Sequence, residues 1–330
     1  MGLGHKPVYR VECNGKDITA AIQNDLISLT ITDEAGIKSD SLNISINDKG
    51  YAVPPEGAEF KVWLGYGTAA TYMGLFVLNS VSLTGPPDKI IIKAAGMPQE
   101  STRSRYSQLQ TMKKRSWTPR TIGALVGSIA AENGLTPAVA SDLSGIKLPH
   151  LDQLNESDMH LLTRVAADHD AIAKANDGKM IFAHKGQGKT ISGKSMPTIE
   201  LTPDQVTTIS VEIESRTDFK TVIALWRDVN GARDAEERVG DGEPVHRMKH
   251  IYSTPEAAQK VAKGKLEAFQ RGKQSLSGSL PGRPELRAEG RLSLSGFRAE
   301  KNGLWSITRA THTIGGGGYI TSVEGERVKI

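Results

Sequence analysis

Thiols are nearly absent from this chain. Cys13 is the single cysteine among 330 residues, so no internal disulfide can form and no cysteine pair is at hand for a zinc site. Cys13 reads as a small residue at a strand end, and one thiol fits folding in a reducing compartment. Neither charge sign is in large excess. Lys and Arg number 41 against 37 Asp and Glu, a net +4, too weak a bias to argue nucleic-acid binding by itself. Apolar runs of bilayer-crossing length are missing, and Met1 to Pro7 lacks the apolar core of a secretory signal. We therefore expect a chain made in the cytoplasm, without stable membrane insertion, that leaves the cell only as part of something larger. Catalytic signatures are missing too, with no HExxH pair and no GxSxG elbow.

What is present is an ordinary globular composition, 38% hydrophobic and 24% charged, in a chain long enough for two or three domains. Residues 1–96 read as short antiparallel strands. Leu42, Ile44 and Ile46 alternate with polar residues, as do Ile27, Leu29 and Ile31, and Phe60, Val62, Leu64 and Tyr66 give a third strand. A fourth runs from Met73 to Leu83, with Met73, Leu75, Val77, Val81 and Leu83 on one side. The turn Gly85-Pro86-Pro87-Asp88 and the return strand Ile90-Ile91-Ile92 follow. Strands at this spacing argue a sandwich or barrel.

Residues 97–204 read as a small α+β domain. Thr118-Pro119 supplies a cap and a first helical residue, and Ile122, Leu125, Val126, Ile129 and Ala130 recur at three and four along one face until Gly134. A second helix is expected from Asn155, with Leu154 and Met159 flanking its cap as a hydrophobic staple and Leu162, Val165, Ala166 and His169 continuing the face. Asn176-Asp177-Gly178 then turns into a strand, 179–183. Residues 205–330 read as a second β domain. Ile209, Val211 and Ile213 alternate. Residues 219–229 are apolar on both faces, hence central, and residues 231–244 suggest a solvated loop. A helix over 255–270 carries Ala258, Val261, Ala262, Leu266 and Phe269 on one side. Strands at Arg291–Leu294, Gly303–Ile314 and from Tyr319 close the chain. The fold class is mainly β with an α+β middle.

Each chemical motif has a blander reading that fits better. Residues 183–190, AHKGQGKT, resemble a phosphate-binding loop, but Ala183 stands where glycine is wanted and Thr190-Ile191-Ser192-Gly193 propagates a helix poorly, so a turn between strands is expected. Gly315 to Gly318 reads as a strand connection. His246 and His250 stand four apart in a strand-like context, and His160 and His169 are too far apart on a helix to share a metal. Asp33-Glu34 and Asp168/Asp170 are the available carboxylate pairs, and paired carboxylates are mostly solvated surface. We therefore expect no catalytic, cofactor-binding or metal-binding residues. The stretch Arg103, Arg105, Lys113, Lys114, Arg115, Arg120 with Tyr106 and Trp117 is the one charge anomaly. Basic and aromatic residues together suit a nucleic-acid path. An exposed linker docking on an acidic partner surface is the preferred reading.

Taken in order, these pieces resemble the phage late control D family, the P2-type tail hub proteins, which are similar to the hubs of contractile tails and to the N-terminal part of type VI secretion spike proteins. The resemblance rests on Asp33-Glu34-Ala35-Gly36-Ile37-Lys38-Ser39-Asp40, Leu64-Gly65-Tyr66-Gly67, Tyr72-Met73-Gly74-Leu75-Phe76 and Gly85 to Lys89. It continues through Asn155-Glu156-Ser157-Asp158, Asp177-Gly178-Lys179, Leu280 to Leu286, Gly303 to Ile307, Ala310-Thr311-His312 and Gly318 to Thr321. It implies two barrel-like β domains per chain and a homotrimeric, non-enzymatic hub. Such a hub joins a six-fold tail tube protein to a three-fold central spike protein, with tape-measure and baseplate wedge proteins as further neighbours; direct nucleic-acid binding is not expected from so small a net charge. It further implies assembly in the bacterial cytoplasm and a final place in the baseplate of a phage tail or a tail-like particle such as a bacteriocin. A tail-associated peptidoglycan-binding or peptidoglycan-degrading protein is the alternative. Trp117 as the only tryptophan between 97 and 200 speaks against the binder.

Overall fold

The computed structural model describes residues 6–36, 39–97, 109–118, 121–148, 150–169, 171–176, 178–184, 198–213, 219–228, 231–252, 254–271 and 274–328. The chain divides into two compact units. One holds residues 1–101, 197–211 and 276–325, the other 102–196, 212–275 and 326–330. Strands dominate both.

The first unit is organised by a thirteen-stranded sheet. Its path runs Thr208–Ile213, Gln274–Pro281, Gly318–Arg327, Gly303–Gly315, Leu26–Glu34, Ser41–Asn47, Lys89–Met97, Ala69–Thr84, Glu59–Tyr66, Pro7–Cys13, Lys16–Asp17. Arg291–Leu294 pairs with Gly303–Gly315 and carries Thr198–Leu201 in parallel. The middle of the path joins distant sequence, because Gly303–Gly315 lies antiparallel to Leu26–Glu34 with Thr311 opposite Thr32 and Ile314 opposite Leu29. The path among the described residues does not close on itself, so the expected barrels are not closed ones. Strands from both ends of the chain have merged into one sheet instead.

Alternation in the strands produces the cores. Leu29, Ile31, Leu42, Ile44, Ile46, Phe60, Val62 and Leu64 are buried in one cluster, and Leu276, Leu280, Leu292, Leu294, Trp305 and Ile307 in another. The glycine run is the expected strand connection, with Gly318 at φ +90° where a β-carbon is disfavoured. The Met73–Leu83 face is not as expected. Leu78 lies opposite Ala94 and Ser80 opposite Lys93, so Asn79 is an extra residue and the alternation changes phase there. Phe76 is buried and Leu83 is 62% exposed.

The second unit holds three small sheets and its own helices. Helix Ile122–Glu132 buries Ile122, Leu125, Val126, Ile129 and Ala130, as its spacing predicts, and ends at Gly134 with φ +63°. Its cap is Thr121, whose hydroxyl accepts from the Ala124 amide at 3.2 Å. Thr118 follows directly on strand Lys113–Trp117 and precedes that cap by three residues, and Pro119 lies outside the described residues. Helix Asp158–Asp168 is capped by Ser157. Asn155 belongs to strand Leu151–Glu156, and Leu154 is 62% exposed, so no staple forms. The 179–183 strand pairs back on Ala171–Asn176 through a turn at Gly178 (Asp177 lies outside the described residues). Strand Thr221–Asp228 is central, as its two apolar faces require, between Arg233–Gly240 and Val245–Tyr252. Arg233–Gly240 corrects the solvated-loop expectation. It is a charged edge strand whose inward positions are Ala235, Glu237 and Val239. Helix Pro255–Arg271 buries Ala258, Val261, Ala262 and Leu266 and starts on the hydroxyl of Thr254.

Candidate functional site

In the first unit, residues 282–290 form a strap whose side chains and backbone tie early strands to late ones. Arg287 donates to the carbonyls of Tyr72 at 2.7 Å, Met73 at 3.0 Å and Pro284 at 3.2 Å. The Ala288 amide donates to Asp33 Oδ2 at 3.2 Å, and Glu289 Oε1 accepts from the Gly36 amide at 2.9 Å. Gly282 lies on the ring of Tyr319, where an added β-carbon would sit 2.1 Å from ring atoms. Beneath the strap is His312, fully buried. Its Nε2 lies 3.0 Å from the Leu286 carbonyl, and Nδ1 lies 3.0 Å from the Tyr319 hydroxyl and 3.1 Å from Thr321 Oγ1. The carbonyl only accepts, so Nε2 carries the proton and Nδ1 accepts from a hydroxyl. Burial, with the Arg287 charge second, lowers this histidine to about 4, and the ring is neutral.

The second unit is pinned by a carboxylate. Asp158 is fully buried in the first turn of its helix, where the helix dipole favours negative charge. Lys113 Nζ donates to it at 2.5 Å, Arg115 at 2.7 Å, Gln153 Nε2 at 2.9 Å and Asn133 Nδ2 at 3.3 Å. Burial raises its pKa, but the Lys113 and Gln153 hydrogen bonds and the charges of Lys113 and Arg115 outweigh it, and the net shift is downward. Arg115 also forks onto Glu132 at 2.8 and 3.0 Å and stacks on Trp117 at 4.1 Å. This resolves the charge anomaly where it is described. Lys113 and Arg115 stand on a strand and neutralise acids of their own unit, while Lys114 faces outward. Arg103, Arg105, Tyr106 and Arg120 lie outside the described residues.

The remaining chemical candidates do not assemble. Asp33 and Glu34 bind the Ala288 amide and Arg309. Asp168 lines a cleft of about 220 Å³ with His169, Tyr252, Arg164 and His250, and burial raises its carboxyl. That lining contains no second carboxylate, and Asp170 lies outside the described residues. His169 is lowered to about 4, first by burial and then by Lys260 and His184. His160 instead reaches the surface and meets Glu156 at 2.7 Å. His246 packs edge-on against Phe219 and Phe269. Residues 185–190 of the phosphate-loop lookalike are outside the described residues. One arrangement was not anticipated: Thr118 Oγ1 lies 3.4 Å from His150 Nδ1, and His150 Nε2 lies 3.2 Å from Asp152. Both His150 and Asp152 are about half exposed, so no enclosed space surrounds the hydroxyl. Among the described residues no three His, Cys, Asp or Glu side chains converge as a metal-binding group.

The buried polar centres, His312 and Asp158, both fall in stretches that carry the resemblance, although sequence reasoning gave neither a role. Comparison with known proteins agrees with where those stretches point. The profile of the family described as phage tail baseplate hub (GPD) matches residues 106–318. The probable baseplate hub protein of Escherichia phage P2 is 31% identical, over 96% of this chain and 92% of its own. Among solved structures, the tail protein from Neisseria meningitidis MC58 has a TM-score of 0.71 at 12% identity, covering 98% of this chain and 97% of its own. A type VI secretion system component of E. coli has a TM-score of 0.56 at 12% identity, over 98% of this chain and 77% of its own. Those two similarities are of fold alone, whereas the profile match and the P2 relative are of sequence, and on them the chain belongs to the phage tail baseplate hub (GPD) family.

Proposed function

We propose that this chain is the homotrimeric hub of a contractile phage tail or of a tail-like particle such as a bacteriocin, adapting a six-fold tail tube protein to a three-fold central spike protein. The observation that carries this reading is the match to the P2 hub along nearly the whole of both chains. The two separate cores of the first unit support it, because the two halves of its sheet can then act as two barrel-like segments per chain. Three chains then present six similar segments upward and three-fold symmetry downward. Tape-measure and baseplate wedge proteins are the further neighbours we assign. The chain is assembled in the bacterial cytoplasm and contributes no catalysis and no direct nucleic-acid contact.

Native mass of the purified chain, with electron microscopy of the same sample, tests this. A ring of three copies, about three times 35.5 kDa, is the expected result. A monomer both alone and with the spike protein co-expressed overturns it. The wall-degrading alternative rests on the raised carboxyl of Asp168 in its cleft. A clearing zone on peptidoglycan that disappears in Asp168→Asn would establish it in place of the non-enzymatic reading.

A further inference from the structure

Free strand edges invite pairing, and proteins blunt them with charge, proline or side-chain caps. The free edges described here carry such a device with one exception. Glu200 stands in Thr198–Leu201, Asp152 in Leu151–Glu156, three cations in Lys113–Trp117 and Lys174 in Ala171–Asn176. Pro7–Cys13 begins with proline, and its Val11 amide is capped by the Thr19 hydroxyl at 2.9 Å. Lys16–Asp17 is two charged residues. Arg233–Gly240 carries five charges, Val245–Tyr252 carries Arg247 and Lys249, and Thr136–Val139 contains Pro137. Thr208–Ile213 carries Glu212, and its Ile209 carbonyl is held by Lys301 Nζ at 2.7 Å.

The exception is the far end of Ala69–Thr84. Its neighbour Glu59–Tyr66 pairs with it only as far as Val77, and one further bond joins the Leu78 amide to the Ala58 carbonyl at 2.9 Å. Beyond that, after the extra residue Asn79, Ser80-Val81-Ser82-Leu83-Thr84 continues paired on one side only, to Lys89–Met97. Residues 79–84 contain no charge and no proline. From Ser80 they alternate small polar with apolar side chains, and Leu83 is 62% exposed. Among the described residues no backbone group pairs with their outer edge.

We infer that this arm is a docking edge on which an extended segment of an adjacent tail protein adds as a strand. The inference rests on the hub reading above. Main-chain hydrogen bonds would supply the attachment, and apolar side chains beside Val81 and Leu83 the register. The segment is uncharged along the paired stretch, because a charge beside the arm would find no partner on it. Area decides against a second free copy as the occupant. At about 3.3 Å per residue the edge is about 20 Å long, and one strand's width of about 5 Å to either side gives about 200 Å² per partner. A stable specific interface buries about 1,200 Å² or more in total. The occupant must therefore be a chain also held by other contacts, as neighbours in an assembly are.

The test uses the full chain in cells that build the tail. Wild type, Leu83→Pro, Leu83→Lys and Leu83→Ile are compared for the amount sedimenting with tails, and melting of each purified chain controls for folding. Leu83→Pro and Leu83→Lys, at an exposed residue whose amide faces the free edge, should melt as wild type does and fall at least tenfold in tails, and Leu83→Ile should match wild type. Hydrogen exchange on the wild-type protein gives a readout free of folding effects: the outward amides of Val81 and Leu83 should exchange at least tenfold more slowly in tails than in the free chain. Incorporation of the proline and lysine variants at wild-type level, or unchanged exchange, overturns the inference. Loss of the free ring of three copies in Leu83→Pro would overturn it in favour of pairing between copies of this chain. If wild type never enters tails, the hub reading itself fails and the inference falls with it.

Discussion

Among the described residues, the fully buried ionisable side chain of the first unit is an imidazole, His312, and that of the second is a carboxylate, Asp158. Both sit among strands and both hold a connection in place, yet their chemistry is opposite. His312 is neutral and linked to a carbonyl and two hydroxyls. Asp158 is ionised and sits between two cations and two amides. A neutral network costs little to bury once its hydrogen bonds are made. An ionic one is stable only while its partners are complete, because each charge left alone in the interior is heavily penalised. The first unit should therefore fail by loss of packing and the second by loss of a partner.

Packing loss gives the largest expected effect. Trp305 is fully buried in the second core of the first unit, with its indole N–H donating to the Lys301 carbonyl at 2.9 Å. Trp305→Ala should destabilise the first unit by about 3–5 kcal/mol, read by denaturant melting with hydrogen exchange assigning the loss to that unit. Unchanged melting would show that the indole-sized void expected there is filled by rearrangement. Partner loss comes next. Asp158→Ala strands Lys113 and Arg115 and should cost about 3 kcal/mol in the second unit; Lys113→Met with Asp158→Leu should recover part of it. If the double variant is worse than the single one, the junction is not held by charge.

Acid separates the two centres. The folded His312 takes its proton near pH 4, the unfolded chain near 6.5. Between these values the unfolded state binds more protons, so stability is complete above about pH 6.5 and is lost as pH falls toward 4, by about 3 kcal/mol at most. Asp158 has a lowered pKa in the folded state, so its contribution persists through that window and is lost only below the ordinary carboxylate range. His169 shares the direction of His312 and would blur the contrast, so the comparison is made in His169→Gln. Amides of Tyr319 and Thr321 should then lose protection from pH 6.5 to 4 while those around Asp158 keep it. Equal losses would remove the distinction.

Much of the fold was legible because it depends on local alternation. Leu42, Ile44 and Ile46 point inward as their period of two requires, and Ala258, Val261, Ala262 and Leu266 as their helical spacing requires. What escaped depends on residues distant in sequence. Asp158 meets cations 43 and 45 residues away, a separation that no window on the chain reveals. Arg233–Gly240 looks like a loop because its strand signal is carried by Ala235, Glu237 and Val239 among five charges. Leu83 changes face because one inserted residue, Asn79, reverses the phase. Helix starts were displaced because several hydroxyls stood nearby, and the one that caps is decided by where the preceding strand stops. Thr254 caps helix Pro255–Arg271 through the Ala257 amide, and Thr254→Ala should cost about 1 kcal/mol, seen as faster exchange in the first turn of that helix. No change there would mean that packing alone fixes this helix.

The smallest expected effect is the sharpest test of how the basic stretch is used. Lys113, Lys114 and Arg115 are consecutive on one strand, so adjacent side chains point to opposite faces, and only the first and third reach Asp158. Lys114→Ala should change stability by less than about 0.5 kcal/mol, whereas Arg115→Ala removes two contacts to Glu132, one to Asp158 and the stack on Trp117. Melting of the two variants in low and high salt decides it. If the charges act as a surface field, the two variants should lose similar stability and salt should erase both losses. If they act as an internal clamp, Arg115→Ala alone is damaging and most of its cost survives high salt, because partly buried pairs are weakly screened. Equal effects at adjacent positions would show that alternation along this strand does not sort its charges into inner and outer ones.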